Sequence, residues 1–127
     1  KKELRWRSKI PLDKTWEQLT PEQQAEFRSL YESMPEYDEP PFPAEGIKPV
    51  FNAVKKAQEA RQAKGELNFA VTVGPDGTAT NVEDFGSVHD KEMTQYVSSV
   101  LLMTKYKPAK CNGAPCVMQF PFKLRLR

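Results

Sequence analysis

The chain has 127 residues, 39% of them hydrophobic, with 19 Lys+Arg against 17 Asp+Glu for a net charge of +2. That length suits one compact domain. The charge balance gives no support to a nucleic-acid binder held by bulk positive charge, and no apolar run approaches the ~20 residues of a membrane-spanning helix. The single histidine, His89, argues against a His-built metal site or a His-dependent triad. The chain begins with Lys1 rather than Met, so it reads as a processed product or a piece, with a signal peptide or membrane anchor left to a segment outside it.

Charge is distributed in blocks. Residues 1–15 carry Lys1, Lys2, Arg5, Arg7, Lys9 and Lys14 against Glu3 and Asp13; residues 16–46 carry eight acidic groups and only Arg28. Residues 47–65 turn basic again, with Lys48, Lys55, Lys56, Arg61 and Lys64 against Glu59. Two readings follow: solvated faces, or an acidic arm that docks on the basic helix or on a basic partner.

Residues 1–15 show no period and are expected to be an extended lead-in, with Trp6 and Ile10 against the body. Thr20-Pro21-Glu22-Gln23 then offers an N-cap, a proline pre-set for the first helical position and a capping-box Gln. Phe27, Leu30, Tyr31 and Met34 share one helical face, so a helix is predicted over 20–34, ended by Pro35. Pro35, Pro40, Pro41, Pro43 and Pro49 make the following stretch extended and stiff, as a spacer or a Pro-rich ligand. A second helix is predicted from Lys48-Pro49, with Val50, Phe51, Val54 and Ala57 inward and Gly65 as its C-terminal cap.

The period then drops from 3.6 to 2. Leu67, Phe69, Val71 and Val73 alternate with Asn68, Ala70 and Thr72, and Gly74-Pro75-Asp76-Gly77 signals a turn into a second strand over about 78–85. Ser87 and Asp90 can open a third helix, whose buried face would hold Met93, Tyr96, Val97, Val100, Leu101 and Thr104. Met103 is also expected in the core. Residues 117–126 alternate strictly, with Met118, Phe120, Phe122, Leu124 and Leu126 on one face. Pro121 has no N–H for a ladder, which places this last strand at a sheet edge. The fold class is α+β: a three-stranded antiparallel sheet covered on one face by helices, with an N-terminal helical extension.

Cys111 and Cys116 bracket Asn112-Gly113-Ala114-Pro115. A disulfide, a two-ligand metal clip or two reduced thiols are the options. Two cysteines without a neighbouring His cannot complete a tetrahedral zinc site, and the spacing is not that of a thioredoxin-like motif. A disulfide here would remove loop entropy worth roughly 2 kcal/mol and fix where the last strand begins. It would also point to an oxidising compartment. His89, beside Asp90, is expected to be exposed or capping. No carboxylate pair is set up for acid–base work, so no catalytic residue, metal or cofactor is expected. Trp16 and Trp6 are expected to pack the arm on the sheet, the alternative being an aromatic anchor for a partner.

Phe42-Pro43, a helix, Gly65 before the first strand, the Pro75-Asp76-Gly77 hairpin, a strand, an amphipathic helix, the exit Tyr106-Lys107-Pro108 and a last strand together resemble the C-terminal domain of TonB-family energy transducers. The resemblance covers residues 40–127, and 1–39 form an arm without counterpart in it. It implies a periplasmic, non-enzymatic protein-binding domain whose edge strand captures an extended segment of an outer-membrane receptor. By position, the capturing edge would be Val117, Met118, Gln119, Phe120, Lys123 and Arg125, with Phe42-Pro43 in the place of the family's Tyr-Pro pair. The partner would be a receptor segment or an envelope machine rather than a small molecule or nucleic acid, with a homodimer as a further option. The alternative is a stand-alone envelope accessory with the same fold and no transducing role, and the arm is free to cover the edge instead.

Overall fold

The computed structural model describes residues 10–127. Trp6 and the first nine residues of the lead-in lie outside the described residues. Ile10 is buried, as expected for the end of that lead-in.

A 3-10 turn at Trp16–Gln18 leads into helix α1, Pro21–Arg28. The capping box forms as the sequence predicts: Thr20 N–H donates to Gln23 Oε1 at 2.9 Å and Gln23 N–H to Thr20 Oγ1 at 3.2 Å. The helix stops six residues earlier than the apolar period suggests. Ser29 closes it with its hydroxyl on the Glu26 carbonyl at 2.6 Å. The Arg28 guanidinium then gathers the following turns, donating to the carbonyls of Pro35 (2.8 Å) and Asp38. Leu30, expected inward, is 60% exposed in consequence. A helix this short has little stability of its own, so tertiary contacts set its length. The decisive ones are Phe27 in the core and Tyr31 at the sheet.

Residues 40–43 are buried rather than a loose spacer. Phe42–Pro43 form strand β1, which pairs antiparallel with β4, Tyr106–Lys107. Helix α2, Lys48–Arg61, buries Val50, Phe51 and Val54. Its C-cap is Gln62 at φ 51°, not Gly65. Gln58 replaces a glycine motif there: its amide bonds both the Ala63 N–H (2.9 Å) and the Ala63 carbonyl (2.7 Å). Gly65 instead opens strand β2, Gly65–Val73, at φ 118°, where a Cβ would stand 3.0 Å from the Ser87 carbonyl oxygen. Ser87 likewise does not cap the third helix; its Oγ accepts the Glu66 N–H at 2.9 Å.

Strand β3 is Ala79–Asp84, joined to β2 through the predicted turn. Gly77 sits at φ 84°, and a Cβ there would lie 2.2 Å from the Tyr106 carbonyl oxygen, so the turn needs glycine to meet β4. Helix α3, Lys91–Met103, starts on Asp90, whose Oδ1 accepts the Met93 N–H at 3.1 Å. That bond and the Arg61 guanidinium hold the Asp90 carboxyl below its ordinary range, the guanidinium most strongly. Met93, Val97 and Leu101 are buried; Met103, expected in the core, is 74% exposed, and Tyr96 is also exposed. Both lie on the flank of the stripe through Met93, Val97 and Leu101 rather than on it.

After α3 come β4 and a small hairpin, β5 (Ala109–Cys111) and β6 (Ala114–Cys116). The last strand, β7, Met118–Leu126, runs antiparallel to β2 over its whole length, from Val73 opposite Met118 to Gly65 opposite Leu126. The main sheet has the order β3-β2-β7, so among the described residues β7 is an edge strand, in keeping with Pro121. The molecule is α+β with a three-stranded antiparallel sheet, and α3 packs on β3 and β2. The inner face is Leu67, Phe69, Val71 and Val73 with Phe120, Phe122, Leu124 and Leu126, all buried.

The arm shares this core. Trp16, Phe27, Phe42, Tyr106 and Phe120 form one cluster with ring centroids 5.3–6.1 Å apart, Phe27 stacked on Phe120 at 5.8 Å. Trp16 therefore packs, as expected. Among the described residues, the ion pairs do not join the acidic arm to α2. Arg61 of α2 pairs with Asp90 (2.9 Å) and Glu92 (2.7 Å), while Glu39 of the arm pairs with Lys107 (3.3 Å).

Candidate protein-docking edge

Strand β7 has two sides: one is bonded to β2, the other faces away. Which residues use which side follows from one bond. The Tyr31 hydroxyl donates to the Gln119 carbonyl at 2.6 Å, so that carbonyl points away from β2. In an antiparallel ladder, residues alternate between turning both backbone groups to the neighbour and turning both away. Gln119, Pro121, Lys123 and Arg125 therefore present their backbone outward, while Met118, Phe120, Phe122 and Leu124 bond to β2. Pro121 thus lacks a donor on the side where β2 does not need one.

The outer side divides into a covered and an open half. At its start, Tyr31 closes the Gln119 carbonyl, and Phe27 of α1 lies on the neighbouring Phe120. Burial raises the Tyr31 phenol above its usual range, so the hydroxyl stays a donor at any physiological pH. From Pro121 onward, no strand among the described residues pairs with the outer side. The polar groups presented there are the Pro121 carbonyl and the N–H and C=O of Lys123 and of Arg125.

Of the positions assigned to the edge by sequence, Gln119, Lys123 and Arg125 are exposed and outward. Val117 is exposed but precedes the ladder, and Met118 is half-buried opposite Val73. Phe120 is buried in the ring cluster and offers a partner no surface. Phe42 and Pro43 are buried too; Phe42 sits 6.1 Å from Phe120, beneath the edge rather than on it.

Cys111 and Cys116 are joined by a disulfide, Cα–Cα 5.7 Å. They close the β5–β6 hairpin, whose turn residues Asn112 (φ 53°) and Gly113 (φ 87°) both take positive φ. Asn-Gly is the strongest short hairpin signal there is, and it marks a pair of strands that the C-x4-C spacing alone reads as a closed loop. The hairpin is tied to the arm by reciprocal Glu39–Lys110 backbone bonds (2.8 and 2.9 Å) and by Asn112 N–H on Asp38 Oδ1 (2.9 Å). It thereby fixes the point from which β7 starts.

His89 is exposed at the entry to α3. Among the described residues no three His, Cys, Asp or Glu side chains gather as metal ligands. Sequence reasoning missed two parts of the edge. The apolar period places Tyr31 on a helix face, and its contact is 88 residues away in sequence, which no local period reveals. A basic rim of Lys64, Arg125 and Arg127 lines a shallow surface depression with Gly65 and Leu126. The block of charge in 47–65 hinted at Lys64, but only the Gly65–Leu126 register brings it beside the end of β7.

Comparison with known protein families, with characterised proteins and with solved structures finds no match.

Proposed function

We propose that the chain is a periplasmic protein-binding module of the TonB C-terminal type. It docks on outer-membrane receptor or transport proteins by taking up an extended segment as an added strand on β7. One observation supports the reading: among the described residues no strand pairs with the outer side of β7 from Pro121 to Arg125, while its other side is paired to β2 at nine register positions. Main-chain bonds to such an edge supply affinity, and the alternate side chains supply specificity. The Cys111–Cys116 bond agrees with an oxidising compartment. No step of bond-making chemistry is required of the site.

The second reading, a stand-alone envelope accessory, is supported by the arm. Its Trp16 and Phe27 are built into the same aromatic cluster as Phe42 and Phe120, beyond what the transducer resemblance covers. Both readings use the β7 edge. Titration of the isotope-labelled chain with peptides from receptor N-termini tests it. Amide shifts should centre on residues 121–126. Shifts that avoid this stretch for every peptide would refute strand addition.

A further inference from the structure

The chemistry of the open half specifies the kind of segment it takes. We infer that the added strand is acidic, with carboxylates at alternate positions and apolar residues between them. This rests on strand addition at β7 and names the class of partner.

A strand laid against β7 distributes its side chains over the same two faces as β7. On the outer face it would meet Pro121, Lys123 and Arg125, with Arg127 beyond them, and Lys123, Arg125 and Arg127 are all exposed. Lys64 joins them, because Gly65 stands opposite Leu126 and the next step outward sets Lys64 beside Arg127. Against these four cations the register offers one carboxylate, Glu66 opposite Arg125; Asn68 is opposite Lys123 and Ala70 opposite Pro121. Among the described residues none of the four cations is in an ion pair. Side chains directly across an antiparallel pair stand about 4.5–5.5 Å apart at Cβ. Carboxylates spaced i, i+2 on the incoming strand would thus face Lys123 and Arg125.

On the inner face, Phe122, Leu124 and Leu126 form the last row of the core. Apolar residues alternating with the acids would extend that row by one strand. The backbone groups left by Pro121, Lys123 and Arg125 suit about five residues of partner.

The first nine residues carry Lys1, Lys2, Arg5, Arg7 and Lys9 against Glu3, a charge opposite to that of the segment inferred here. The chain's acidic stretch at Asp38 and Glu39 is already held by Asn112 and Lys107.

Four peptides of equal length separate the outcomes: alternating Glu/Val, the same with Gln for Glu, the same with Lys, and one with the Glu residues clustered. The whole isotope-labelled chain is titrated with each, in low salt and in ~0.5 M NaCl. The alternating acidic peptide should bind about tenfold tighter than its Gln counterpart, with shifts centred on 121–127 for both. Salt should narrow the gap, and Lys123→Gln with Arg125→Gln should abolish it while the rest of the amide spectrum is unchanged. Equal binding of the Glu and Gln peptides overturns the acidic assignment and leaves strand addition standing. Equal binding of the clustered peptide overturns it as well, since charge attraction without register would then suffice. Vesicles of phosphatidylglycerol that move the same amides as strongly would assign the rim to lipid instead. If no peptide moves 121–127, strand addition itself fails.

Discussion

The two halves of β7 are made of the same alternating sequence and do opposite things. At the first half, Phe120 is enclosed by Phe27, Phe42 and Tyr106, and the one outward carbonyl, that of Gln119, is occupied by Tyr31. At the second half, Lys123 and Arg125 project from a strand whose outer side has no neighbour among the described residues. A single strand is thus covered at one end and, among the described residues, unpaired on its outer side at the other. Pro121 sits at the junction, where it removes an outward donor without costing the β2 ladder a bond. An open edge is an aggregation hazard unless it is short and charged. The arm shortens it, and the two cations charge it.

If the first half is structural, its largest ring contacts should dominate stability. Phe27→Ala removes a buried ring that touches Trp16, Phe42 and Phe120, and should lower the unfolding free energy by about 3–5 kcal/mol in a denaturant titration. A loss under 1 kcal/mol would mean that the arm is merely laid on the core. Next in size is the Cys111–Cys116 bond. Reduction, or replacement of both cysteines by Ser, should cost roughly 2 kcal/mol in the chain-entropy account. Because the hairpin fixes the start of β7, hydrogen exchange should quicken first at residues 109–119. Equal quickening at 122–126 would show that the two halves are one cooperative unit.

Tyr31→Phe is smaller and more local. It leaves the ring packed on Phe27 and removes only the hydroxyl from the Gln119 carbonyl. The expected loss is about 1 kcal/mol. Its diagnostic effect is on the boundary: a peptide that pairs from Pro121 onward in the parent chain should extend its amide shifts to Gln119. Unchanged shifts at Gln119 would mean that something other than Tyr31 sets the limit.

Much of this is legible in the sequence. The period-2 runs at 67–73 and 118–126, the Pro-Asp-Gly turn and the edge position implied by Pro121 all survive, because each is a local pattern that the sheet only has to accept. The Thr20 capping box survives for the same reason. What local pattern could not give was where tertiary contact overrides it. The α1 period continues to Met34 in sequence, yet the helix yields at Arg28 so that Arg28 can gather the Pro35 and Asp38 carbonyls. Gly65 looks like a helix cap, yet its missing side chain is needed against Ser87, and Gln62 takes the left-handed position itself. Gln119 shares its outward phase with Lys123 and Arg125, but alternation cannot say which half of an edge will be covered by an arm residue 88 positions away in sequence.

The smallest expected effect is the sharpest test of the comparison. Lys123→Gln with Arg125→Gln changes two exposed side chains that make no ion pair among the described residues. Exposed substitutions of this kind stay within about 0.5 kcal/mol, and here the direction can be argued. Lys123, Arg125 and Arg127 are like charges on one face of one strand, with Glu66 the only carboxylate opposite any of them. Neutralising two of them relieves repulsion in the folded chain, so the double variant should be equal in stability or slightly more stable. Adding salt should stabilise the parent chain slightly and the variant less, because screening removes the same repulsion. A loss above about 1 kcal/mol would show that the cations hold the fold together, and the second half of β7 would then be structural like the first. No loss, together with lost discrimination between acidic and neutral peptides, would mean that these two charges are spent on a partner rather than on the fold.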